Sequence, residues 1–516
     1  MRYIGPFFRM NSLSNTEING QLFHLSKEAV KTLSLESKCG IVSSIKSYKR
    51  LSSSIDITTI GNFSPVLCLY RKGSPNYLHS KNSNGFDEDT FKKDITPSTN
   101  ALMTLCLLEL LDYYEKFRDV DETSYSMYEI YKKLSQDQLQ FYSINLRNSE
   151  GIFIDKKNLL ENSFKGFSLA DKDNKFKFSD QGYMMLAYYL YSKKCSDDSI
   201  ADDYKNFALE IHQMFVDFND KLYECSFNEL SELLLIFNYF YSYSKLEDSK
   251  NLIIDICDYL VNKFDDKDYY VDSLETTCLF NIGLLLSYKH TKIISFYDKS
   301  HEISNKLKGL YSEEKEVFLK LSGKKDIKYS CFDIVLYFIS MSLYSEISER
   351  GKEFKSSLSS IYKRYFLNSG IIQSWPDAPT LDDYERYKRF SLSSKDMLDE
   401  SYFRMPNLPS PSSCGKAPIF NKSVTYSKKK DSFESTKEGF DSFKNMFLFY
   451  ILIYFTKSEV IKDMELDKIE ITKPEEKDSS IIISSLIKEL EDENSISNND
   501  NTDKSDTDLN CTEKID

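Results

Sequence analysis

Trp375 is the single tryptophan of a 516-residue chain, and it opens the segment Trp375-Pro376-Asp377-Ala378-Pro379. An indole on a stretch stiffened by two prolines can stack on the apolar face of a sugar ring, or plug a loop onto helix ends. Two clusters mix aromatic and basic side chains. One is Tyr384 to Phe390, with Arg386, Tyr387 and Arg389; the other is Tyr48-Lys49-Arg50 with Tyr70-Arg71-Lys72. Arginine presents a planar fork that meets a carboxylate or phosphate at two points, so Arg50, Arg71, Arg386 and Arg389 are candidate contacts to an anionic ligand. Asp382, Asp383 and Glu385 are close enough in sequence to pair with Arg386 and Arg389 instead. A third group is acidic: Asp180 falls in a predicted helix first turn, where the dipole favours negative charge, and Asp272 with Glu275 has the spacing of a capping box.

What is missing narrows the chemistry. The five histidines have neither His-x-x-x-His spacing nor a neighbouring cysteine pair, so no metal site is expected. No Walker loop, Gly-rich dinucleotide loop or Gly-x-Ser-x-Gly elbow occurs, and no cofactor is expected. A formal net charge of −13 argues against nucleic-acid binding, which needs a basic face. The longest apolar run, Met446 to Phe455, is about half of what a membrane span requires. Met1 to Met10 has no apolar run of signal-peptide length, and the cysteines are scattered singly, several at apolar helical positions, so a cytoplasmic chain with buried reduced thiols is expected.

The elements that must position these residues follow from hydrophobic periodicity. Six segments are apolar almost all the way round: Thr96 to Phe117, Ser179 to Ser192, Phe227 to Tyr243, Ser273 to Tyr288, Ser330 to Tyr344 and Gly439 to Phe455. Each follows a segment with one apolar stripe at spacings of three and four: Ser26 to Ser37, Ser124 to Tyr142, Asp203 to Asp220, Ser249 to Phe264, Ser295 to Tyr311 and Gly351 to Leu367. Helices buried on every side, alternating with helices buried on one, make an inner and an outer ring. A repeat of roughly 50 residues supports one closed domain. The expected fold is therefore all-α, six helical hairpins closed into a toroid.

Three hairpins carry long outer-to-inner connections, at 43–95, 154–178 and 373–437, and closure would bring all three to one mouth. Glycine followed by apolar residues at Gly40, Gly151 and Gly370 suits a helix C-cap before each. The three connections together are net basic while the whole chain is acidic, which favours anionic ligands at the rim. The toroid is expected to fill 1–456. Beyond it, 457–516 reads as a linker and an acidic, largely disordered tail, with an apolar island at Ser480 to Leu490.

This arrangement resembles the six-hairpin (α/α)6 toroid superfamily of glycoside hydrolases, polysaccharide lyases and sugar epimerases. The resemblance is architectural, covers about Ser26 to Phe455, and implies a cleft where inner helices begin. Carried onto this chain, it implies catalytic carboxylates among Asp377, Asp180, Asp272 and Glu275, with Trp375, Arg386, Tyr387, Arg389, Arg50 and Arg71 as substrate contacts. Glycosidic cleavage needs a proton donor and a second carboxylate across the scissile bond. The implied function is a carbohydrate-active enzyme, first a hydrolase and then a lyase or epimerase, acting on an oligosaccharide or anionic sugar. The alternative is a non-catalytic helical scaffold that presents its loops and acidic tail to a protein partner.

Overall fold

Each all-round apolar segment forms a helix in the computed structural model, which describes residues 14–48, 63–80, 83–119, 121–160, 166–173, 175–267, 269–377, 415–435 and 439–470. The inner helices are α2 (Pro97–Tyr114), α4 (Phe178–Lys194), α6 (Phe227–Ser244), α8 (Leu274–Thr291), α10 (Cys331–Ile347) and α12 (Ser442–Glu470). The outer ones are α1 (Asn15–Leu35), α3 (Glu122–Asn145), α5 (Ala201–Asp217), α7 (Glu247–Phe264), α9 (Ile294–Lys308) and α11 (Lys355–Ile361), the last continued by a π-helical stretch over Tyr362–Leu367. Inner α8 buries Leu274, Cys278, Leu279, Phe280, Ile282, Leu284, Leu285 and Leu286 around its whole circumference. Outer α7 buries one stripe, Leu252, Ile253, Ile256, Cys257, Leu260 and Phe264.

Contacts between successive inner helices close a ring. Ser98 of α2 donates its backbone N–H to Asp180 of α4 at 3.1 Å. Tyr189 of α4 packs on Phe240 of α6 with ring centroids 4.8 Å apart. Asn238 of α6 donates to Ser287 of α8 at 2.9 Å, and Asn281 of α8 to Ser340 of α10 at 2.8 Å. Phe332 of α10 meets Phe447 of α12 at 5.1 Å, and the seam is made where Lys457 of α12 reaches Glu109 of α2. The outer layer closes too, through Tyr362 Oη donating to Gln21 of α1 at 2.7 Å. The fold is thus the (α/α)6 toroid expected from periodicity. At Gly283 two inner helices approach so closely that a Cβ would sit 2.8 Å from Leu234 Cδ2.

All outer-to-inner connections leave from one end, and short antiparallel strands stitch the long ones together. Asp94–Ile95 of the first connection pairs with Lys156–Asn158 of the second, which in turn pairs with Leu169–Asp171. Lys72–Gly73 of the first pairs with Phe440–Asp441 just before α12. Ser423–Ser427 of the sixth lies between Ser432–Ser435 and Asp326–Ser330 of the fifth. The convergence of the long loops on one mouth is therefore built by strand pairing.

Two expectations need correction. Gly370 takes positive φ just past the last helical turn, but Gly151 does so in a separate turn, Asn148 to Ile152, beyond the Leu146 cap of α3, and Gly40 does not; Lys38 is the left-handed residue there. Gly40 instead begins the strand Gly40–Val42, where a Cβ would meet the Cys68 carbonyl oxygen at 2.1 Å. The cap of α8 is Ser273, whose hydroxyl accepts from the Thr276 N–H, in place of Asp272.

By its internal contacts the chain divides into Met1–Met464, which contains the ring, and Glu465–Asp516. Of the second unit the described part is helix through Glu470; the acidic tail and Ser480 to Leu490 lie outside the described residues. No helix among the described residues is long and apolar enough to cross a membrane. The described cysteines are unbonded thiols, all buried but the half-buried Cys225.

Candidate functional site

The mouth lies where the inner helices begin, and their first turns carry acids because the dipole favours negative charge there. Most of these acids tie one helix to the next. Asp180 accepts the Ser98 N–H; Glu229 Oε1 lies 3.4 Å from both the N and Oγ of Ser179; Ser330 Oγ donates to Glu275 Oε2 at 3.1 Å. Thr276 Oγ1 donates to Asn228 Oδ1 at 3.1 Å. The capping propensity read from sequence is real, but it works between neighbouring helices as well as within one.

Asp180 is 1% exposed, and Lys177 Nζ approaches its second oxygen at 3.7 Å. Burial outweighs Lys177 and the Ser98 N–H, and pushes the carboxyl up to about 6. On the next inner helix Glu232 is half-buried and accepts from Asn228 Nδ2 at 3.0 Å. Burial first, then the negative charges of Glu229 and Asp180, push Glu232 up to about 8. One turn along α4 from Asp180 is Tyr183, fully buried, its hydroxyl without a hydrogen-bond partner among the described residues. Burial raises its phenol, and Glu232, Tyr239 and Asp180 act in the same direction, which puts all four groups within electrostatic reach.

Beneath this level the ring axis is filled. Tyr239 of α6 crosses it to meet Tyr450 and Tyr454 of α12, at 5.3 and 4.3 Å. At the far end Lys457 bridges Glu109 and Asp112, Lys194 also holds Asp112, and Tyr243 donates to Glu109.

The residues singled out in the sequence fare unequally. Asp180 and Glu275 stand at the mouth on α4 and α8. Asp272 ends the short turn Tyr269–Asp272, and its side chain lies outside the described residues. Asp377 does not join Asp180. Its carboxylate is exposed, and its carbonyl accepts from His24 Nε2 at 2.9 Å, in the middle of outer helix α1. His24 is eleven residues from the mouth end of α1, roughly 16 Å at the rise of a helix. Trp375 is only 4% exposed and belongs to the core, so its indole plugs the loop onto the ring and offers no face to a sugar. Arg71 is half-buried beside the mouth, its carbonyl accepting from Ser442 N and Oγ at the start of α12. Arg50, Arg386, Tyr387 and Arg389 lie outside the described residues. Glu232 was missed; its signal was a charge inside the run Leu230-Ser231-Glu232-Leu233-Leu234 of a helix otherwise buried all round.

No family model matches this chain, and no curated protein does. Solved structures do. A cellobiose 2-epimerase from Bacillus thermoamylovorans B4167 is 11% identical, with a TM-score of 0.46 over 75% of this chain and 93% of its own. A cellobiose 2-epimerase from Spirochaeta thermophila is 9% identical, TM-score 0.44, over 81% and 97%. An alpha-mannanase from Bacteroides thetaiotaomicron is 10% identical, TM-score 0.40, over 73% and 91%.

Proposed function

We propose that this chain is a carbohydrate-active enzyme of the glycoside hydrolase type, with Glu232 as proton donor and Asp180 as its ionised partner at the ring mouth. What supports this reading is a pair of carboxyls on adjacent inner helices in unlike settings: Asp180, with the Ser98 N–H at 3.1 Å and Lys177 Nζ at 3.7 Å, and Glu232, which accepts only from the neutral Asn228 amide at 3.0 Å and has Glu229 and Asp180 as charged neighbours. One, at about 6, is ionised at neutral pH, while the other, at about 8, keeps its proton. Acetal cleavage needs that division of labour: one group to protonate the departing oxygen, another to stabilise positive charge developing at the sugar carbon or to activate water. A scaffold would need only the capping role of such acids and would gain nothing from a protonated glutamic acid at the mouth.

The test is turnover of oligosaccharides, and of nitrophenyl glycosides whose leaving group needs no proton, by the wild type and by Glu232→Gln. The variant should lose about a hundredfold or more on oligosaccharides, in line with general acid catalysis, and keep much of its rate on the nitrophenyl substrate. Equal rates for wild type and variant on both would overturn the assignment.

A further inference from the structure

Asp180 does not have Lys177 to itself. The ammonium lies 3.7 Å from Asp180 Oδ2 and 3.5 Å from Oδ2 of Asp155, a residue of the second connection. One cation is thus shared almost equally by two carboxylates, and the two distances place those oxygens no more than about 7 Å apart, close enough for each charge to act on the other.

Asp155 is held in place by its backbone. Gln181, in the first turn of α4, donates its Nε2 to the Phe153 carbonyl at 2.8 Å and accepts the Phe153 N–H at 3.1 Å. The Asp155 carbonyl accepts the Lys172 N–H at 2.9 Å, and the next residue, Lys156, pairs with both Ile95 and Asp171. The connection is therefore fixed to the first turn of the helix that carries Asp180. Asp155 is 8% exposed, and its Oδ1 is buried with no hydrogen-bond partner among the described residues. Its charge leans on the same ammonium as Asp180.

The charges that face Asp180 come from every element packed on it. Helix α2 brings the Ser98 N–H and the positive end of its dipole, α4 brings Lys177, α6 brings Glu229 and Glu232, and the second connection brings Asp155. Asp173 acts in turn on Lys177. Burial is the largest influence on Asp180 and opposes its charge; Lys177 favours that charge, and Asp155 opposes it.

We propose that Lys177 and Asp155 are positioning residues for the mouth chemistry: Lys177, pinned between two carboxylates, keeps Asp180 ionised, and Asp155 limits how far it does so. This rests on Asp180 being the ionised member of the reacting pair. The experiment uses the full chain and two readouts. One is the pH profile of oligosaccharide turnover; the other is the carboxyl titration of Asp180 by NMR with ¹³C-labelled aspartate, its signal identified by its loss in Asp180→Asn. Lys177→Met should move the Asp180 titration and the acid limb up by about one pH unit, and Asp155→Asn should move both down by about as much. Lys177→Arg, which keeps the cation, should leave them in place. Lys177 is 42% exposed and makes no side-chain cap bond, so melting temperatures should change little. Should Lys177→Met not fold, Asp155→Asn carries the test, because it leaves the ion pair to Asp180 intact. Opposite shifts set this arrangement apart from a loosened fold, which would move both variants the same way. A carboxyl signal that stays put, or shifts of one sign, would overturn the inference and leave the hydrolase reading standing. Opposite shifts in the signal that the acid limb does not follow would overturn the reading of Asp180 as the ionised partner, and this inference with it.

Discussion

Lys457 meets the wholly buried Glu109 at 2.5 Å across the seam that joins the last inner helix to the first. Each charge is removed from water, so each depends on the other. Lys457→Met should destabilise the ring by about 3 to 5 kcal/mol, because Glu109 would be left buried without a counter-charge, holding only the Tyr243 hydroxyl. Removing both charges, as Lys457→Met with Glu109→Leu, should restore most of the loss. Urea unfolding of the three variants measures this, and a single variant as stable as the wild type would show that the seam is held by apolar packing alone.

The mouth acids also fix how stability varies with pH. Glu232 has an ordinary value of 4.5 and sits near 8 in the fold, and Asp180 moves from 3.8 to about 6. Between the unfolded and folded values, the folded state holds protons that the unfolded state has released. Stability is therefore highest below about pH 4, as far as these two groups are concerned, and falls as pH rises through 6 and 8. Glu232→Gln should flatten the upper part of that decline, measured as the unfolding midpoint from pH 5 to 9.

Activity should follow a bell in pH. Asp180 must be ionised, which sets the acid limb near 6, and Glu232 must be protonated, which sets the alkaline limb near 8. Asp180→Asn keeps an acceptor for the Ser98 N–H while removing the charge. It should fold, lose the acid limb and lose most of its turnover. Retention of wild-type turnover would remove Asp180 from the chemistry and leave it the tie between α2 and α4.

Much of the ring was written in the sequence, because a helix buried on every side has a composition unlike one buried on a stripe. Phe227 to Tyr243 matches α6 to one residue. The start of α1 was misplaced by eleven residues, since Ile18, Leu22 and Leu25 are buried on a helix whose polar Gln21, His24 and Lys27 are buried too, which blurs the stripe. The site was far less legible. Asp180 stood out because first turns are easy to recognise, whereas Glu232 acquires its character first from burial and then from acids on its own and the neighbouring helix, which only the packing of α4 on α6 supplies. Of the two roles open to Trp375, a sugar platform or a plug on the helix ends, the buried indole takes the second. A rare residue in a long loop suggests exposure, yet the segment meets α1 at His24 through the Asp377 carbonyl and sinks its indole into the core.

Glu275 separates a helix tie from a catalytic acid. It shares the mouth with Asp180, but its Oε2 is occupied by the hydroxyl of Ser330, itself the N-cap of α10. Glu275→Gln preserves an acceptor there and should leave both turnover and its pH profile unchanged. Glu275→Ala should cost about 1 kcal/mol, one hydrogen bond in a partly exposed place, again with little effect on turnover. A loss of a hundredfold or more in Glu275→Gln would transfer the proton-donor role from Glu232 to α8, since no structural part played by this carboxylate is lost when the amide replaces it.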